Sequence, residues 1–65
     1  MSKMQRMTAK ECVRLLRADG WDEVSQSGSH KKFRHASKQG IVVVPMHGDL
    51  ATGTLAKILK QARLQ

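Results

Sequence analysis

The residues best equipped for chemistry sit together in one stretch of the chain. Gly28-Ser29-His30-Lys31-Lys32-Phe33-Arg34 sets a histidine directly after a glycine and a serine and at the head of three cations. A second histidine, His47, follows Pro45 and precedes Gly48. Histidine titrates near neutral pH, with an unperturbed pKa of about 6.5, so it can both take and return a proton. On an extended strand His30, Lys32 and Arg34 project from one face over about 13 Å. Gly28 leaves the approach to His30 uncrowded, and the Ser29 hydroxyl can donate to a phosphate oxygen. That combination suits proton transfer beside a bound phosphate. The carboxylates are few and scattered and the cysteine is single, so no metal site is expected. Each of these residues also has a plainer reading. A histidine that opens a polar strand face is ordinarily surface, a row of cations is ordinarily a solvated edge, and His47 fits a turn.

The elements that must position these residues follow from periodicity. Residues 1–7 read as a short N-terminal extension, and residues 8–65 as one domain. Thr8 followed by Glu11 is a capping-box pattern. Ala9, Cys12, Val13 and Leu16 then fall on one helical stripe, and Gly20 is placed to end that helix in a left-handed conformation. Trp21 to Ser27 reads as a first strand, Gly28-Ser29 as a turn and His30 to His35 as a second strand. There Phe33 faces one way while His30, Lys32 and Arg34 face the other. Residues 36–40 make another turn. Ile41 to Val44 is a β-branched run and the strongest strand of the chain; Pro45 ends it or marks it as an edge strand. Leu55, Ile58, Leu59 and Ala62 form a second helical stripe, with either Asp49 or Thr52 as its cap. The order is α-β-β-β-α. An α+β fold is expected, with a three-stranded antiparallel sheet, both helices on one face and the other face open. Cys12, Trp21 and Phe33 are expected in the core, and His35, which shares the Phe33 face, is expected to be packed rather than functional.

The totals bound the possibilities. A chain of 65 residues is one small domain that buries only about 60% of the surface its unfolded form exposes. Cys12 is the single cysteine, so no disulfide framework supports it, and a reducing compartment or a core thiol is implied. Twelve Lys and Arg stand against five Asp and Glu, a formal net charge of +7. So much charge on so small a body opposes compaction and suits a polyanionic partner: nucleic acid, an acidic protein or anionic lipid. Lipid is the weakest of these, because no apolar run approaches the roughly 20 residues that span a bilayer. No signal-peptide pattern opens the chain, and it reads as cytoplasmic.

Several blocks occur in order and at family-like spacing. They are Gly20-Trp21, Gly28-Ser29-His30-Lys31-Lys32-Phe33, Val44-Pro45-Met46-His47-Gly48 and Gly53-Thr54-Leu55 through Ile58-Leu59-Lys60-Gln61-Ala62. Together, over roughly residues 8–64, they closely resemble the HicA (YcfA-like) family of toxins. The resemblance implies a fold like the double-stranded-RNA-binding domain, in agreement with the order read from periodicity. It also implies a metal-independent ribonuclease that cleaves messenger RNA without a cofactor, and an inhibitory antitoxin partner of the HicB type. The family's active-site histidine, in its Gly-Ser-His block, falls on His30. One departure is His35-Ala36, where many members carry His-Pro.

Cleaving RNA without a metal means removing a proton from the 2′ hydroxyl and giving one to the leaving oxygen, while cations steady the phosphoryl charge. His30 is expected to carry proton transfer. Gly28, Ser29, Lys31, Lys32 and Arg34 are expected to contact RNA, and His47 to contact RNA or serve as a second catalytic group. Two rival readings stand beside this one. A non-catalytic RNA-binding module of the same fold would explain the charge and the fold but not the Gly-Ser-His block. A basic protein that only neutralises an acidic partner would bind no RNA at all. With so few aromatic residues, recognition by serial base stacking is not expected.

Overall fold

The structure is a computed structural model that describes residues 7–64. Residues 1–6 of the expected extension lie outside the described residues. The elements run β1 (Met7–Thr8), α1 (Ala9–Ala18), β2 (Trp21–Ser27), β3 (His30–His35), β4 (Val42–Pro45), β5 (Asp49–Leu50) and α2 (Thr52–Gln61). Strands β2, β3 and β4 form an antiparallel sheet with β3 in the centre. This is the expected α+β arrangement. A two-residue ladder, β1 with β5, is added to it: Met7 pairs with Leu50 and Thr8 with Asp49.

Helix α1 starts where the capping box places it. The Glu11 backbone N–H donates to Thr8 Oγ1 at 3.1 Å, and the Thr8 N–H donates to Glu11 Oε1 at 2.8 Å. The helix ends at Asp19, and Gly20 follows with φ +102°, a conformation that glycine adopts without penalty. Helix α2 begins differently from either expected cap. Its N-cap is Ala51, with no side-chain hydrogen bond. Thr52 is already helical, and Asp49 is used in the short ladder opposite Thr8. The far end of α2 closes with Arg63 at φ 58° and the Leu64 N–H on the Leu59 carbonyl at 2.8 Å. This is a Schellman-type end built on a residue other than glycine.

One core holds the layers together. Trp21, Phe33, Val42 and Val44 line the inner face of the sheet. They pack with Ala9, Cys12, Val13 and Leu16 of α1 and with Leu55, Ile58 and Ala62 of α2 and its cap. Both helices therefore cover the same face. Strand β4 is an edge strand ending at Pro45, so the missing proline N–H leaves no gap in the sheet. Ile41 stays outside β4 and is exposed. Between Glu23 and Ser25 the register of β2 shifts at a bulge, which leaves Val24 exposed.

At one end of β3 a polar clasp joins both helices to the sheet. The Asp19 carbonyl accepts from His35 Nε2 at 2.6 Å, and His35 Nδ1 accepts the backbone N–H groups of Ser37 and Lys38 at 2.9 and 3.2 Å. These bonds define a neutral ring with its proton on Nε2. Trp21 meets that ring edge-on, with centroids 5.3 Å apart. The Asp19 carboxylate accepts from Trp21 Nε1 at 3.2 Å and from Lys38 Nζ, which also donates to the Ala62 carbonyl at the end of α2 at 3.0 Å. His35 is thus structural, as expected, whereas the part played by Lys38 was not visible in the turn 36–40.

Two predictions follow from the clasp. A Cβ on Gly20 would stand 2.8 Å from His35 Nε2, and a positive φ adds roughly 1–2 kcal/mol of strain for a residue with a side chain. Gly20→Ala should therefore destabilise the protein by about 2 kcal/mol or more, lowering Tm by on the order of 10 °C in a domain this small; an unchanged melt would refute the close contact. Hydrogen bonding from Lys38 lowers the pKa of Asp19 below its ordinary value of 3.8, with the Lys38 charge and the Trp21 N–H adding to the effect against some desolvation. A lowered folded-state pKa gives stability that is complete above the unfolded value and is lost as pH falls through the folded one. Asp19→Asn should accordingly be less stable than the native chain at pH 7. Melts taken at decreasing pH should show the gap closing below about pH 4.

Candidate active site

The open face of the sheet carries the expected row. His30, Lys32 and Arg34 alternate with the buried Phe33 and are all exposed. Lys31 does not join them. It lies on the Phe33 side of the strand, half-buried, with its Nζ 3.4 Å from Glu23 Oε1, an oxygen that also receives Arg17 Nη2 at 3.5 Å. Period-two alternation is the reason: neighbours along a strand point to opposite faces. Among the described residues of β3, the cations that face outward are therefore Lys32 and Arg34.

His30 is positioned by a tight hairpin. Ser27 pairs with His30 across the two-residue loop Gly28-Ser29. Gly28 takes φ +59°, the sign that a primed hairpin turn requires at its first central position. A Cβ there would meet nothing within 4 Å, so the surface beside His30 is open. The loop is fixed from both sides. Gln26 Nε2 donates to the Gly28 carbonyl at 2.9 Å, and the Met46 N–H donates to the Ser29 carbonyl at 2.6 Å.

The second bond brings His47 to the same place. His30 lies opposite Pro45 in the β3–β4 ladder. Just beyond it the His47 N–H donates to the Pro45 carbonyl at 3.0 Å, a three-residue turn of the kind that ends strands. The chain therefore turns over the end of the sheet instead of running on. His47 Nε2 comes within 3.3 Å of Ser29 Oγ, and its ring stands at 89° to that of His30 with centroids 6.0 Å apart. Both imidazoles are exposed and Ser29 is half-buried. The structure thus gathers Gly28, Ser29, His30 and His47 at one end of the open face, continues the row through Lys32 and Arg34, and leaves Lys31 outside it. Among the described residues no group of three or more His, Cys, Asp or Glu side chains is arranged to hold a metal ion. No helix among them is long and apolar enough to cross a membrane.

Comparison with known proteins bears on the whole domain. The family model described as the HicA toxin of bacterial toxin-antitoxin systems matches residues 9–64. Among solved structures, a chain of a toxin-antitoxin complex from Streptococcus pneumoniae is 38% identical and superposes with a TM-score of 0.75. The match covers 88% of this chain and 97% of that one. No curated protein sequence matches.

Proposed function

The chain belongs to the HicA toxin family, and from that premise we propose that it is a metal-independent endoribonuclease that cleaves messenger RNA and thereby inhibits translation, with His30 as its catalytic histidine. The observation that carries the reading is the exposed His30 at the head of a cationic row on an uncovered sheet face. An imidazole there can exchange a proton with a ribose hydroxyl or a leaving oxygen of RNA lying across the sheet. Lys32 and Arg34 hold the backbone phosphates and steady the charge that builds on the phosphoryl oxygens. Ser29 and the bare edge of Gly28 admit the phosphate close to His30, and His47 stands beside His30 with ring centroids 6.0 Å apart. Lys31, already paired with Glu23, adds to the general positive field more than to any single contact.

The same surface suits an antitoxin. A solved relative occurs in a toxin-antitoxin complex, and a net charge of +7 favours fast, salt-sensitive association with an acidic protein. A HicB-type antitoxin that covers His30 and the basic row would silence the enzyme by occupying the RNA path. The toxin and its antitoxin would both work in the cytoplasm, where messenger RNA is found.

Two outcomes test this reading. His30→Ala removes an exposed side chain, so the melt should move by no more than about 0.5 kcal/mol. RNA affinity should fall only modestly. Cleavage, followed as a time course with chelator present, should slow by at least about 100-fold. A variant that cleaves at the native rate would refute the role of His30. A native protein that binds RNA without cutting it would make the chain a binding module instead. In titrations against single-stranded RNA, neutralising about four phosphates predicts a slope near −3 for log K against log salt, and Lys32→Ala should reduce it by about 0.7. A slope near zero would contradict phosphate-led binding.

A further inference from the structure

We infer that His47 is the second proton-transfer group of the site: His30 is the general base for the 2′ hydroxyl, and His47 is the general acid for the departing 5′ oxygen. The assignment rests on the ribonuclease reading given above. Attack by the 2′ oxygen moves two protons at two oxygens on opposite sides of one phosphorus. Each needs a group within hydrogen-bond reach, about 2.6–3.2 Å. Two imidazoles with centroids 6.0 Å apart and rings at 89° are close enough for a phosphate seated over the open face to meet both.

Among the described residues the pair makes one side-chain hydrogen bond, His47 with Ser29, and has little structural duty. Both rings are exposed, so their approach buries little apolar surface and contributes little to stability. His35 shows what a structural histidine of this chain looks like: half-buried, with both ring nitrogens bonded to the backbone. The hydrogen-bond partners of His30 and His47 divide their roles. Among the described residues His30 has no hydrogen-bonded side-chain partner, so its lone pair is free to accept. His47 has one nitrogen against Ser29 Oγ. A hydroxyl can accept from an imidazolium N–H as readily as it can donate to a neutral ring. In the proposed step Ser29 accepts from one N–H of the His47 imidazolium, and the other N–H donates to the leaving oxygen.

The step balances without a further reactant. The 2′ hydroxyl proton passes to His30 as the 2′ oxygen bonds to phosphorus. The bond from phosphorus to the 5′ oxygen breaks, and the His47 imidazolium gives its proton to that oxygen. The products are a 2′,3′-cyclic phosphate and a 5′ hydroxyl, and proton exchange with water resets both rings.

The test uses an RNA oligonucleotide whose cleaved bond has been mapped with the native protein, and its counterpart with sulfur replacing the bridging 5′ oxygen at that bond. Sulfur leaves without needing a proton. His47→Gln, which can still hydrogen-bond Ser29, should melt like the native chain and lose RNA affinity only modestly. It should cleave the ordinary oligonucleotide about 100-fold more slowly and regain most of that loss on the sulfur substrate. His30→Ala should stay slow on both. The assignment is overturned if His47→Gln cuts the ordinary oligonucleotide at the native rate, or if it is equally slow on both. It is also overturned if the sulfur substrate rescues His30→Ala in its place. A native protein that yields no cleaved bond to map would defeat the ribonuclease reading itself, and this inference with it.

Discussion

The register of β3 between its two neighbours is the constraint on which the site depends. Phe33 lies opposite Glu23 on one side and Val42 on the other, and its side chain is fully buried. Full burial of such a side chain is worth roughly 1.5–3 kcal/mol. A slip of one residue would turn Phe33 to solvent and press His30, Lys32 and Arg34 against the helices. Uncompensated charge in that core would cost far more than any contact those side chains make outside. Holding Phe33 inward therefore holds the cationic row outward. The same register sets His30 opposite Pro45, and the turn after Pro45 then carries His47 to within reach of Ser29.

Strand β3 begins and ends with a histidine, and the two have opposite fates. His35 is locked by three hydrogen bonds and an aromatic edge contact into the clasp that ties Asp19, Lys38 and the end of α2 together. His30 lies at the other end, bare on the surface. Structural stiffness is gathered at the end of β3 away from the proposed site, and the exposed end can keep an imidazole that has no hydrogen-bonded side-chain partner among the described residues without weakening the fold. This division matters in a chain of 65 residues, whose core leaves little stability to spare.

Much of this was legible in the residues themselves. The capping box at Thr8 and Glu11, the glycine after α1, the inward Phe33 and the two helical stripes are local patterns, and local patterns survive folding when the core agrees with them. What escaped depends on contacts between segments distant in sequence. The meeting of His30 with His47 needs the β3–β4 register, which alternation alone leaves undetermined. The Lys38 clasp needs the positions of both helix ends. Asp49 looked like a helix cap because its residue type favours caps, yet the β1–β5 ladder claims it. Lys31 is a different case: alternation already put it on the Phe33 face, but reading the three cations as one cluster hid this.

The central claim is that imidazole-driven attack by the 2′ hydroxyl cuts RNA on this face. The chemistry of the new ends tests it most directly. Mass spectrometry of RNA fragments made by the native protein, with chelator present, should find 2′,3′-cyclic phosphate, or the 3′ phosphate it decays to, paired with 5′ hydroxyl ends. An RNA lacking the 2′ hydroxyl at the cleaved nucleotide should remain intact. Fragments bearing 5′ phosphate and 3′ hydroxyl ends would mean that water, not ribose, attacks, and would contradict the account.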